Sequence, residues 1–241
     1  MYKEKISYIQ KCISKKNGKL RKIYIPNRNF KIFLRSLLNY LETTYKNNCT
    51  YDCDHAFLKG KNCVTNASTH IHNRYVLSLD IENFFESLPK RLLKNYLPNQ
   101  ILDLVLVNEK IVQGYPTSPY LANIAMIEID NAIMEVFNNQ EIIYSRYADD
   151  LTFSFNDKDK KTYIFQEIIK IMRVYNLKIN TKKTRFQDKK NGRAIITGIG
   201  VCMHTVHPTR KTLKKIRAAQ HQNNPLSERG LTSWSLCKVP K

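Results

Sequence analysis

Two apolar runs, Ile142 to Tyr147 and Leu151 to Phe155, stand on either side of Ala148-Asp149-Asp150. Runs this close and rich in β-branched and aromatic residues predict a hairpin, with both aspartates at its tip. Elements that could surround such a hairpin lie on both sides of it. Tyr75 to Asp80 reads as a short, mostly buried strand with a carboxylate at its end. From Ser118-Pro119 a long helix is predicted, with Leu121, Ala122, Ala125, Met126, Ile129, Ile133, Val136 and Phe137 at helical spacing. A further helix is predicted from about Lys160 to Tyr175, with Phe165, Ile168, Ile169 and Met172 in register. Ala194 to Met203 reads as a second hairpin with glycines at its bend. The order β, α, β-hairpin, α, β describes an α+β sheet with helices on one face.

Upstream, Leu20 to Pro26 reads as a strand with one wet face, and residues 30 to 45 as a helix with Phe33, Leu34, Leu37, Leu38 and Leu41 on one side. Residues 11 to 22 carry Lys11, Lys15, Lys16, Lys19, Arg21 and Lys22 and no acid. The imbalance holds for the whole chain: 40 Lys and Arg against 20 Asp and Glu give a formal charge of +20. At 241 residues and 42% hydrophobic, the chain suits one globular unit or two small ones rather than a disordered tail. The excess argues against a small-molecule metabolic enzyme and for a polyanionic partner, nucleic acid ahead of a membrane surface. No window approaches about 18 consecutive apolar residues, and no apolar stretch follows Met1-Tyr2-Lys3-Glu4-Lys5. A cytoplasmic location is therefore expected. Cys49, Cys53, His55 and Cys63 cluster, but their spacing is no standard zinc finger. Cys12, Cys202 and Cys237 complete a set best read as reduced thiols.

Asp80 at a strand end and Asp149 with Asp150 at a hairpin tip are the carboxylates that position singles out. Aspartate also caps local backbone in turns, which accounts for one of the adjacent pair more easily than for two. Three acids gathered between buried strands repel one another unless a cation neutralises them. An all-oxygen donor set selects hard divalent ions, Mg²⁺ first, and two such ions suit phosphoryl transfer.

Tyr147-Ala148-Asp149-Asp150 resembles the Tyr-x-Asp-Asp box of reverse transcriptases. Asp80-Ile81-Glu82-Asn83-Phe84-Phe85 resembles that family's first palm motif, and Gln113-Gly114-Tyr115-Pro116-Thr117-Ser118-Pro119 its Gln-Gly-x-Pro-x-Ser-Pro motif. Asn180-Thr181-Lys182-Lys183-Thr184 is similar to its Asn-x-x-Lys-Thr segment. Two further signatures resemble those of bacterial retron enzymes: Asn66-Ala67-Ser68-Thr69-His70, and Ile196-Thr197-Gly198, where the family has Val-Thr-Gly. On Asn66 and His70 the plain alternative is a polar pair that caps a helix.

The resemblance implies a right-hand polymerase fold with fingers at 1–75, a palm at 76–203 with a fingers insertion near 90–112, and the start of a short or truncated thumb at 204–241. It implies Asp80 and Asp149 bridging two Mg²⁺ ions, with Asp150 assisting, the Ile81 carbonyl as a further ligand and Mn²⁺ as a substitute metal. Phe85 matches the steric gate that selects dNTPs. Arg21, Gln113 and Gly114 would line the nucleotide pocket, and Lys183 would protonate the leaving pyrophosphate. Cys202 falls near the primer grip. Arg210, Lys214, Arg217 and His221 recur at helical spacing and would track a nucleic-acid backbone.

These readings converge on an RNA-directed DNA polymerase of retron type. It would copy a structured non-coding RNA that is also its primer, forming a covalent RNA–DNA product, in phage defence with an effector protein. A group II intron-like or other defence-associated reverse transcriptase is the enzymatic alternative. An RNA-binding protein on the same scaffold is the non-enzymatic one.

Overall fold

The computed structural model describes residues 7–14, 18, 20–138 and 140–236, so Lys15, Lys16, Lys19 and Cys237 lie outside the described residues. The chain opens with strands β1 (Tyr8–Ser14) and β2 (Leu20–Pro26), then helices α1 (Arg28–Ser36), α2 (Leu38–Asn48) and α3 (Cys63–Ser68). Strand β3 (Tyr75–Asp80) precedes three short helices, α4 (Phe84–Ser87), α5 (Arg91–Lys94) and α6 (Asn99–Val105), and the long α7 (Ser118–Phe137). Strands β4 (Ile143–Tyr147) and β5 (Asp150–Phe155) lead to α8 (Lys160–Val174). Last come β6 (Arg185–Asp188), β7 (Ala194–Ile196), β8 (Ile199–Val201), β9 (Val206–Pro208), α9 (Arg210–His221) and α10 (Pro225–Ser235). No helix among the described residues is long and apolar enough to cross a membrane.

The chain divides into two compact units. The first comprises residues 1–52, 82–133 and 171–178. Here β1 and β2 pair antiparallel from Tyr8↔Pro26 to Ser14↔Leu20. The expected helix over 30–45 is two helices that break at Leu37, where the Ser36 hydroxyl donates to the Phe33 carbonyl (2.7 Å) and competes with the helical ladder. Asn27 caps α1 by accepting from the Phe30 N–H at 2.7 Å. Tyr8, Tyr24, Phe30 and Tyr115 meet edge to face, with centroids 5.4 to 6.2 Å apart.

The second unit comprises residues 53–81, 134–170 and 179–241. Its centre is a four-stranded antiparallel sheet in the order β4-β5-β3-β6. Because strand side chains alternate, β3 sends Tyr75, Leu77 and Leu79 to one face and Val76, Ser78 and Asp80 to the other. The first face is an aromatic core: Tyr144 stacks on Phe153 at 4.9 Å, Tyr75 on Phe186 at 5.6 Å, and Phe137 meets Phe153 edge-on at 5.6 Å. Phe153 and Phe155 are fully buried, each contributing about 1.5–3 kcal/mol of transfer free energy.

The other face departs from the expectation of helices on one side only. It too is covered, by α3 and by the small sheet β7-β8-β9, through a cluster of Cys63, Val64, Ala67, Val76, Ala194, Ile196, Ile199 and Val201. The Asn62 side chain caps α3 in a reciprocal box with Thr65. The capping role open to Asn66 and His70 thus falls to other residues. The His55 ring nitrogens face the Thr65 and Thr69 hydroxyls at 2.9 and 3.4 Å, and Cys53 and Cys63 are buried.

Candidate active site

Hairpin β4–β5 turns in two residues. Tyr147 pairs with Asp150, which leaves only Ala148 and Asp149 in the loop and makes Asp150 the first residue of its strand. The expectation of both aspartates at the tip is corrected accordingly. Ala148 sits at φ +57°, the left-handed value that such short turns demand and glycine usually supplies. The Asp149 carbonyl accepts from the Ile81 N–H at 3.0 Å, joining the tip to the end of β3.

Asp80 and Asp150 stand opposite each other across β3 and β5, so their side chains share one face. Asp80 is buried. Its carbonyl accepts from the Asn180 N–H at 2.8 Å, which fixes the start of the turn Thr181–Lys183. That turn delivers the Lys183 ammonium to Asp80 Oδ2 at 2.7 Å. Burial, reinforced by the charges of Asp149 and Asp80, pushes the Asp150 carboxyl up to about 6, while Lys183 and Arg185 pull it back down. The Asp80 carboxylate in turn holds Lys183 above the usual lysine range.

A cleft of about 220 Å³ opens at this point, lined by Ser78, Leu79, Asp80, Asp150, Lys182, Lys183 and Arg185. The sequence places neither Ser78 nor Arg185 at this site. Ser78 faces Thr152 on one side and Arg185 on the other, and its buried Oγ has no hydrogen-bond partner among the described residues. Only strand register, which a single sequence does not display, brings these groups to Asp80.

Among the described residues no three His, Cys, Asp or Glu side chains are gathered tightly enough to cage an ion. A cage is not what Mg²⁺ requires, because it is commonly held by one or two carboxylates plus substrate phosphates. Two facing carboxylates, a third close enough to raise Asp150, and no sulfur or imidazole in the cleft fit a hard cation.

Ile81, Asp149 and Lys183 belong to the same unit as Asp80 and Asp150, whereas Arg21, Phe85, Gln113 and Gly114 belong to the first. There Arg21 is exposed on β2. The Gln113 carbonyl accepts from the Tyr24 N–H of the same strand at 2.8 Å. Gly114, at φ +112°, passes so close that a Cβ would stand 2.2 Å from the Tyr24 carbonyl oxygen. Of the adjacent phenylalanines, Phe84 is core and Phe85 half-buried, their rings meeting at 5.4 Å. In the second unit, Asn66 and His70 are fully buried, and Thr197 and Gly198 form the β7–β8 turn with both φ angles positive. Cys202 follows β8, its carbonyl accepting from Lys189 Nζ at 3.2 Å. Arg210, Lys214, Arg217 and His221 are exposed along α9.

Residues 13–195 match the model of the family described as reverse transcriptase (RNA-dependent DNA polymerase). The retron Ec86 reverse transcriptase of Escherichia coli is 30% identical over 216 residues, covering 84% of this chain and 65% of the relative. The retron Ec83 reverse transcriptase of the same species is 29% identical over 209 residues, covering 78% of this chain and 66% of the relative. The match thus spans just under two thirds of either relative's length. A telomerase from Candida albicans superposes with a TM-score of 0.63 at 12% identity, over 87% of this chain and 47% of its own, a likeness of fold. The architecture is the α+β right-hand polymerase fold. On the breadth of the family match, with retron enzymes among its relatives, the chain belongs to the reverse transcriptase family.

Proposed function

We propose that this protein is an RNA-directed DNA polymerase that extends DNA on a structured non-coding RNA by two-metal nucleotidyl transfer. The observation that carries the reading is Asp80 facing Asp150 across adjacent strands, with Asp149 at the turn beside them and Lys183 on Asp80. Asp80 and Asp149 would hold two Mg²⁺ ions, or Mn²⁺ in their place, with Asp150 and the Ile81 carbonyl assisting. Bound there, the ions would acidify the primer 3′-hydroxyl and neutralise triphosphate charge. Lys183 keeps a proton on Nζ, held by its carboxylate neighbour, and would give it to the departing pyrophosphate. Arg21 offers a fork for the triphosphate, and Gln113 with Gly114 would form a wall of the nucleotide pocket. Phe85, the half-buried ring of its pair, would exclude a ribose 2′-hydroxyl.

In this reading residues 1–75 are fingers, 76–203 palm with a fingers insertion near 90–112, and 204–241 the start of a thumb. The RNA supplies both template and primer, and the product is an RNA–DNA molecule made in phage defence beside an effector protein. Primer extension on an RNA template tests it. Mg²⁺-dependent dNTP incorporation is expected, abolished in Asp149→Asn and in Asp80→Asn. Incorporation that survives either change would overturn the site.

A further inference from the structure

In the second unit the buried residues Asn73, Ser154, His70, Ser145 and Asn66 lie along one continuous chain of hydrogen bonds, and donor chemistry fixes its direction. The Arg74 N–H donates to Asn156 Oδ1 (2.9 Å), and Asn156 Nδ2 donates to Asn73 Oδ1 (3.0 Å). Asn73 Nδ2 donates to Ser154 Oγ at 3.2 Å. At the far end, Asn66 Nδ2 donates to Thr197 Oγ1 (3.4 Å), which donates to the Cys63 carbonyl (3.2 Å). Between these ends lies His70, with no exposed surface, its Nδ1 at 2.8 Å from Ser154 Oγ and its Nε2 at 2.7 Å from Ser145 Oγ. Ser145 must give its only proton to Asn66 Oδ1, 2.7 Å away, because that oxygen can only accept. Ser145 therefore accepts from Nε2–H; complete burial, and then the nearby Lys189 and His55, keep a second proton off the ring, so Nδ1 is the bare nitrogen and Ser154 donates to it. Every link has a donor and an acceptor, and the imidazole is neutral.

The residues joined are not arbitrary. Ser145 lies on β4 and Ser154 on β5, the two strands of the aspartate hairpin, while Thr197 sits in the β7–β8 turn. Thr197 holds φ +45°, a costly conformation for a β-branched residue, and its hydroxyl is bonded from both sides. Beside the ring, the Lys189 ammonium donates to the carbonyls of His70, Ile71 (3.0 Å) and Cys202 (3.2 Å). The charged or titratable neighbours facing His70 are that cation and His55, both of which oppose a second proton on it.

We propose that His70 is a positioning residue for the catalytic hairpin: its neutral ring, wedged between Ser145 and Ser154 and continued through Asn66 to Thr197, sets β4 and β5 and touches no nucleic acid. The catalytic part of this inference rests on the reading of Asp149 and Asp150 given above. His70→Ala should lower kcat about 10- to 100-fold while leaving the RNA template KM and the RNA dissociation constant unchanged. His70→Gln, whose amide can donate and accept at similar points, should restore part of kcat. Independently of activity, ¹⁵N NMR of the parent should show His70 as the Nε2–H tautomer from about pH 5 to 8, and His70→Ala should lose amide-exchange protection in β4 and β5. A His70 that titrates near its ordinary range, or a variant that loses RNA affinity at unchanged kcat, would overturn the proposal. Should Asp149→Asn retain activity, the catalytic reading fails, and tautomer and exchange still decide whether His70 sets the hairpin.

Discussion

Asp150 begins a buried strand opposite Asp80, so its carboxylate meets lost hydration and like charge together. Its proton is held to about pH 6 in the fold, against an ordinary 3.8. The folded state thus binds more protons than the unfolded chain across that interval, and stability falls as pH rises through about 6. In metal-free protein, Asp150→Asn should remove this penalty. Calorimetry at pH 8 should then find the variant more stable by on the order of 1 kcal/mol, after discounting for partial exposure, and equal to the parent near pH 4. Identical melting at pH 8 would refute the electrostatic account. Gly114 is the opposite case, a residue fixed by backbone space. Gly114→Ala would drive a methyl into the Tyr24 carbonyl and should cost on the order of 2 kcal/mol in urea unfolding, with a raised dNTP KM. The acids and Gly114 were legible because each sits in a recognisable motif. Ser78 and Arg185 were not, because what brings them to Asp80 is strand pairing.

The hairpin β4–β5 shows what local pattern specifies and what it leaves open. Its two apolar runs announced the strands, but the turn depends on φ at one residue, and alanine gives no signal for a left-handed backbone. Ala148→Gly should stabilise the fold by about 0.5–1 kcal/mol, the relieved αL cost less glycine's entropy, as a shifted urea midpoint at constant slope. The same hairpin is tied at its neck by a fully buried ion pair, Arg146 to Asp54 Oδ2 at 3.2 Å, while Asp54 Oδ1 accepts from the Ala56 N–H. Arg146→Met strands a buried carboxylate and should cost about 3–5 kcal/mol, much of it recovered by adding Asp54→Leu; additive losses in that double variant would count against the pairing. Long apolar periodicities, as in α7 and α8, survive any context and were legible for that reason. Strand β1 was not, because every residue in it is exposed and no alternation develops. β6 was hidden among Lys178, Lys182, Lys183, Arg185, Lys189, Lys190 and Arg193, where Phe186 alone marks the inward face, and β9 is only three residues long.

For the molecule as a whole, the +20 charge points to a polyanion without saying where it would bind. The proposed site adds a division of labour: a few carboxylates would gather metal in a cleft, while the basic excess would meet phosphates elsewhere on the surface. Helix α9 is the clearest place to test that division. Its residues Arg210, Lys214 and Arg217 are all exposed, Thr209 caps its start through the Thr212 N–H, and it carries no acidic residue. Point charges on a surface helix contribute little to folding, so their replacement should be silent in thermal unfolding. If they contact nucleic acid, each releases counterions when it binds. The triple change Arg210→Gln, Lys214→Gln, Arg217→Gln should then flatten the slope of log affinity against log salt by roughly 2 to 3, with kcat at saturating RNA unchanged. A slope that stays put would assign α9 to solvent and move the phosphate contacts to the basic residues around Arg21 or Lys182.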